Sequence, residues 1–326
     1  MKYVFKSVHD LTPTEIGQYI TLYNTTFDRD LSEEEFHYKF TRQMGANTYF
    51  VLMIDETAGI VGSLGAIEVP YVFRGQNYKF GLTADAMIAP AYRTDMLAMK
   101  RQHDMLFAEL APRGFVCIFT KPNNNSYLYL KKILGFSEID ELSAYGIPLR
   151  PFRAASRWLG WLDCLYVPFV MAAGWLARTG NGFRPIPLEA VQPQTDAKAD
   201  AYVHRKKDAA FLRSRYGSDR YHCAGMGHRS VVYSIGRYGA SACFALNVAA
   251  MRSRDWLAFA HYVVAHHPEV DAIMRITGKE TCSRPFIRIP RWLLPNKFKV
   301  VAKFIGEHAL PANAEFYLDL SDFEVV

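Results

Sequence analysis

The chain has no Cys-x-x-Cys pair, and its five cysteines (Cys117, Cys164, Cys223, Cys243, Cys282) are odd in number and widely spaced. A zinc ribbon, a thioredoxin-type redox motif and the disulfide framework of a small secreted domain are thereby excluded. Reduced, mostly buried thiols in a cytoplasmic protein are the expectation. No Walker loop, no Gly-x-Gly-x-x-Gly turn and no Gly-x-Ser-x-Gly elbow occurs, which removes the commonest nucleotide-binding and serine-nucleophile signatures. His261, His266 and His267 fall within one helical segment, but spacings of five and one share no face, so no metal site is expected. Charge is sparse as well. Ionisable residues make up 21% of 326 residues against 50% apolar, which excludes a disordered or low-complexity chain and supplies a sizeable core. Met1–Lys6 turns polar at once and lacks the apolar core of a signal peptide.

The formal net charge of +6 is unevenly placed. Residues 1–150 carry 15 Lys+Arg against 17 Asp+Glu, and the remainder carries 23 against 15. A near-neutral half joined to a basic half is not a coat for wrapping nucleic acid, and no nucleic-acid partner is expected.

What is present punctuates cleanly. Thr12-Pro13-Thr14-Glu15 and Ser32-Glu33-Glu34-Glu35 are capping boxes that open helices running to about Tyr23 and Met44. Lys2–Val8, Tyr49–Ile54, Ile60–Phe73 and Lys79–Ile88 have strand patterns, the last two joined by the turn Arg74–Asn77. Apolar spacing predicts a helix over Asp95–Leu110, a strand over Phe115–Phe119, a helix over Asn125–Leu134 ended by Gly135, and a returning strand over Phe136–Pro148. The order β-α-α-β-β-β-α-β-α-β describes an α/β fold built on a mixed, mostly antiparallel sheet flanked by helices, not a doubly wound nucleotide-binding unit. Residues 151–207 read as an apolar, then basic, helical linker, in which Arg205-Lys206-Lys207 is a solvated run. Residues 208–326 read as a second folded unit of similar plan, giving domains of 1–150 and 208–326 either side of the linker.

A phosphate is held most readily by backbone N–H groups in a loop that feeds a helix. Ile88-Ala89-Pro90-Ala91-Tyr92-Arg93-Thr94-Asp95-Met96-Leu97-Ala98 has that form: strand, proline break, loop, helix. Pro122-Asn123-Asn124-Asn125-Ser126, closing at Leu134-Gly135-Phe136, follows about thirty residues later. Together these segments resemble the GNAT superfamily of acyl-CoA-dependent N-acyltransferases. The likeness covers residues 1–150 and is faint over 208–326, where Phe211–Tyr216 and Phe316–Phe323 are similar to tandem-domain members.

The resemblance implies a donor, acetyl-CoA or another acyl-CoA, and an amine acceptor that attacks the thioester directly, with no metal. Arg93, Thr94, Asp95, Met96, Leu97 and Ala98 would hold the pyrophosphate, Met87 and Ile88 the pantetheine arm, and Asn124 and Ser126 would add contacts at the next helix. The family's acid position falls on Lys131, so the tyrosine is displaced; Tyr129 has two readings, the acid that would protonate the leaving thiolate or a ring packed on the sheet. Asp85 has two readings, a buried hydrogen-bonded carboxylate or a base at the acceptor site. The loop departs from the family's Arg-x-x-Gly-x-Gly/Ala, because Met96 replaces the first glycine and Asp95 brings a negative charge to the phosphate's place. Either the loop takes CoA in an adjusted way, or the donor is an acyl-carrier protein or, as in the Fem ligases, an aminoacyl-tRNA. A third reading is a non-catalytic binding module.

Trp158–Ala177 is an apolar run whose sole charge is Asp163, bracketed by Arg157 and Arg178. It allows a membrane span, a helix buried between domains, or a helix lying on an anionic membrane surface through 153–184. A small or lipid-linked amine at the inner face of the membrane is the acceptor class this suggests. Oligomeric state has no signal.

Overall fold

The computed structural model describes residues 1–326 apart from 44–46, 96, 179–181, 194–200, 239, 279–281, 283, 295–297, 307–309, 312–313 and 324–326. Its strands are β1 (Lys2–Ser7), β2 (Thr48–Asp55), β3 (Gly59–Phe73), β4 (Gln76–Ile88), β5 (Phe115–Thr120), β6 (Ser137–Glu141), β7 (Ser143–Pro148), β8 (Arg184–Pro185), β9 (Val203–Arg205), β10 (Tyr221–Met226), β11 (Arg229–Tyr238), β12 (Ala240–Ala249), β13 (Ala272–Thr277), β14 (Ile287–Arg288), β15 (Lys299–Phe304) and β16 (Phe316–Tyr317). Its α-helices are α1 (Pro13–Phe27), α2 (Glu33–His37), α3 (Ala98–Leu110), α4 (Asn124–Lys132), α5 (Pro151–Ala155), α6 (Asp163–Ala177), α7 (Ala209–Tyr216) and α8 (Ser253–His266). The mixed, mostly antiparallel architecture read from the sequence is the observed one.

Two compact units form, neither of them continuous in the chain. The first comprises Met1–Asp140, Lys198–Lys206 and Lys299–Phe316, and the second comprises the rest. In the first, the sheet order is β1-β2-β3-β4-β5-β15-β6. β2, β3 and β4 form an antiparallel meander, α3 crosses over, and β5 returns parallel to β4. Leu64, Leu106, Phe115, Ile118, Leu130 and Val301 share its buried core.

In the second unit the order is β14-β7-β13-β12-β11-β10-β8. The meander β10-β11-β12, the crossover α8 and the parallel strand β13 repeat the first unit's plan, as the sequence suggested. The predicted strand Phe136–Pro148 is broken at Leu142. β6 ends in the first sheet, whereas β7 pairs antiparallel with β13 in the second. β15, from late in the chain, takes the corresponding place antiparallel to β5. Each parallel strand therefore gains its next neighbour from the far side of a sequence-drawn boundary.

Local signals hold where they are self-contained. Thr12 Oγ1 accepts from the Glu15 N–H while Glu15 Oε2 accepts from the Thr12 N–H, and Ser32 and Glu35 do the same. α1 runs on to Phe27, where Asp28 turns left-handed at φ +52. α2 passes at Tyr38 into a wider turn through Gln43, and its predicted end, Met44, lies outside the described residues. Arg205-Lys206-Lys207 is not a solvated run. Arg205 is buried in β9, which pairs with β3, and Lys207 is buried on Asp319 at 2.6 Å, since a buried ammonium needs a carboxylate.

Candidate functional site

The parallel strands β4 and β5 pair only from Lys79/Phe115 to Leu82/Phe119. β4 continues for six more residues, Thr83 to Ile88, and on its other edge it stays paired with β3. The two strands therefore part, and past Leu82 the edge of β4 toward β5 has no strand partner among the described residues. Thr83 donates its hydroxyl to Phe119 O at 3.3 Å at the point of parting. The bulge that lets β4 bend away lies opposite Leu64: Gly65 faces Ala84 and Ser63 faces Met87, so Asp85 and Ala86 together oppose one residue. Asp85 takes the strained turn at φ +47.

Asp85 is held there by its own side chain. Tyr19 donates its hydroxyl to one carboxylate oxygen at 2.8 Å, and Lys39 makes an ion pair with the other at 2.8 Å. Lys39 is buried and little of the Asp85 side chain meets solvent, and both carboxylate oxygens are committed to structure. Met87 and Ile88 follow, buried, and Ile88 O accepts from Arg93 Nε at 2.8 Å. The guanidinium thus folds back on the strand end.

The loop beyond is closed on itself. Asp95 Oδ1 accepts from the Leu97 N–H at 3.0 Å, and Asp95 O accepts from the Ala98 N–H at 3.1 Å. Asp95 Oδ2 accepts from Arg101 at 2.6 Å, and that hydrogen bond is the chief reason the Asp95 carboxyl sits below its usual range. The carboxylate ties down the residue before α3, and the helix starts at Ala98, three residues later than the apolar spacing predicts, with no side-chain cap. Thr94 and Leu97 are exposed, Ala98 is buried, and Met96 lies outside the described residues.

α4 begins at an Asn123 cap, whose Oδ1 accepts from the N–H groups of Asn125 and Ser126 at 3.1 and 2.9 Å. Asn124 is exposed, and Ser126 Oγ donates to the same oxygen at 2.9 Å. The ring of Tyr129 packs on the sheet core, and its hydroxyl is buried without a hydrogen bond of good geometry. Burial raises its pKa, while the nearby Lys100 lowers it and Asp104 raises it. Tyr129 therefore reaches the first turns of α3. Tyr127, two residues earlier, is tied up with Glu138 and with Lys299 at 3.2 Å.

Sequence reading missed Lys39, Tyr19, Arg101 and Lys121. Lys121 stands one residue past the end of β5, where burial lowers its pKa. Lys39 sits three residues from Phe36 in an aromatic patch, a spacing that marks its buried face but not a partner 46 residues away. Among the described residues no group of three His, Cys, Asp or Glu side chains stands close enough to hold a metal ion.

The second unit also separates its parallel pair, since β12 and β13 pair only from Ala242/Ala272 to Phe244/Met274. There the gap is filled by the chain itself. Asp319 bridges Thr277, Gly278 N–H donates to Leu318 O at 2.9 Å, and the turn Leu320–Asp322 lies against β12 and β13. Of the two partings, the one at β4 and β5 is the candidate site.

No family model matches the sequence, and no curated protein matches it. Solved structures do. A protein of Enterococcus faecalis V583 described as a probable N-acyltransferase superposes with a TM-score of 0.59 at 12% identity, over 94% of this chain and 73% of that one. The chain has the GCN5-related N-acetyltransferase fold. Members of that description from Anabaena variabilis ATCC 29413 (TM-score 0.57, 13% identity, 93% of this chain and 73% of that one) and Kribbella flavida (0.56, 10%, 93% and 71%) agree. At these identities the likeness concerns the GNAT fold alone.

Proposed function

We propose that the chain is an N-acyltransferase that moves an acyl group, with acetyl as the default, from acyl-CoA to the amine of a small or lipid-linked acceptor. The observation that carries this reading is the parting of β4 from β5 past Leu82, beside a loop that feeds α3. An extended donor arm can add to the free backbone edge of β4 as a further strand would, which holds a thioester at a fixed depth. The acceptor nitrogen then attacks the thioester carbon, and the C–N bond forms as the carbonyl becomes an oxyanion. When that collapses the C–S bond breaks, and the thiolate takes a proton from Tyr129 Oη. The ammonium proton leaves to solvent, and the Tyr129 phenolate regains a proton from solvent before the next turnover. Positioning the two substrates supplies most of the acceleration, and no covalent nucleophile is required. Asp85, with both oxygens engaged, serves to hold the bulge that aims β4, and a proton abstracted by it would break a buried ion pair.

The closed loop favours a second reading on the donor. Asp95 already occupies the amides at the start of α3, so a donor bringing one phosphate, such as an acyl-carrier protein, meets less repulsion than one bringing a pyrophosphate. Calorimetric titration with CoA and acetyl-CoA, followed by thiol-release assays with acyl-CoA and acyl-carrier protein over an amine panel, tests both. Binding and turnover with acyl-CoA uphold the first reading, and turnover with acyl-carrier protein alone upholds the second. No binding and no turnover with either donor leaves a non-catalytic binding module.

A further inference from the structure

α6 and the helical turn before it are apolar on two opposite faces, and one of those faces is covered. Asp163, Val167, Val170 and Gly174 follow one another at helical spacing on the covered face. Gly174 lies so close to α8 that an added Cβ would stand 2.5 Å from Leu257 O and from His261 Cβ, and His261 Nδ1 is 3.0 Å from Met171 O. Asp163 is buried and accepts from the N–H groups of Phe152 and Arg153 at 3.1 and 2.9 Å, which folds the preceding chain back over the start of α6. The opposite stripe is bare. Trp158 (90% exposed), Trp161, Leu165 (73%), Phe169 (70%), Trp175 and Leu176 (75%) project from it, far more apolar surface than a solvated helix face carries.

Length does not decide how such a stripe meets a bilayer, since the 20 residues Trp158–Ala177 are long and apolar enough to cross one. Packing does: a helix crossing the bilayer offers lipid its whole circumference, whereas α6 is seated along one face on α8 and carries the buried Asp163 on that face. Such a helix suits the plane of the surface.

Charge decides between a lipid surface and a second copy of the chain. From 151 to 188 the basic residues are Arg153, which is already paired with Asp271 at 2.5 Å, and Arg157, Arg178 and Arg184, while Asp163, the sole acid of the segment, is buried and bonded. A two-fold pairing of this stripe would set Arg-flanked ends against Arg-flanked ends with no carboxylate to match them. Anionic headgroups match them directly. Tryptophans near both ends of the stripe suit the same seat, because indole sits well at the headgroup boundary, and Arg178 packs over the Trp175 ring at 5.8 Å.

We propose that the bare face of α6, from Trp158 to Leu176, docks the protein in the plane of an anionic phospholipid surface. This does not depend on the acyl-transfer reading. The test is sedimentation of the full chain with phosphatidylcholine vesicles, with and without phosphatidylglycerol, read alongside the tryptophan emission shift. The variant Leu165→Glu/Phe169→Glu alters exposed positions, and its melting temperature should match that of the unchanged protein. The expected result is binding that requires phosphatidylglycerol, weakens with salt, and drops roughly tenfold or more in the variant. Failure of the unchanged protein to sediment with anionic vesicles would overturn the proposal, as would undiminished binding by the variant. Light scattering that shows a dimer, dissociated by the same substitutions and indifferent to vesicles, would assign the face to a second copy.

Discussion

At the scale of single residues, His103 shows how packing sets chemistry. It is buried in α3 with Nδ1 2.8 Å from Met99 O, beside Phe107 and Phe136. Burial lowers its pKa from 6.5 to about 4. Between those values the unfolded chain binds a proton that the folded chain refuses, so stability falls as pH drops through 6.5 and levels off below about 4. The loss is on the order of 3 kcal/mol. Urea unfolding across that range should show it in the unchanged protein and not in His103→Gln. Tyr129→Phe should lower turnover about 100-fold with little change in donor affinity, measured by thiol release and calorimetry, because the change removes only a proton donor. On the acyl-CoA reading, Asp95→Ala should tighten CoA binding about three- to tenfold, since it frees the Leu97 N–H and removes a negative charge from the phosphate's place. Asp95 was legible in the sequence as a charge out of place. Its exposed partner Arg101, six residues on, and the Lys39–Asp85 pair were not, because an ion pair off the helical spacing or far apart in the chain leaves no periodic trace in either segment.

At the scale of elements, caps and turns were legible because each is decided within four or five residues. The Ser32 and Thr12 boxes and Gly135 at φ +69 form as read. The bulge in β4 was not legible, since it depends on which residues of β3 stand opposite. The seat of α6 was half legible. The run of apolar residues announced itself, but only Gly174 against Leu257 and His261 shows which face turns inward. Gly174→Val should force α6 from α8 and cost about 1–3 kcal/mol, read as a lower unfolding midpoint with the first unit's transition unchanged.

At the scale of the whole molecule, two units of like plan were legible from the recurrence of strands, crossover helix and strand. The exchange between them was not. A strand's sequence records its two faces and says little of which edge it will join, so β7 and β15 look equally at home in either sheet. The chain 1–150 therefore looks complete but lacks β15, which stands between β5 and β6. Expressed alone, it should show no cooperative unfolding transition by circular dichroism. Mixing it with a peptide covering 299–316 should restore one, and a well-folded 1–150 would contradict the topology described.

That placement of β15 also sets a clock during synthesis. Residues 1–140 leave the ribosome early, yet the strand that completes their sheet is made more than 150 residues later. At ~5–20 residues per second the wait is roughly 10–30 s, during which the edge of β5 stands open in a crowded solution. A chaperone that shields strand edges, or slow codons placed to let the second unit close first, would change the yield of folded protein without altering a single native contact.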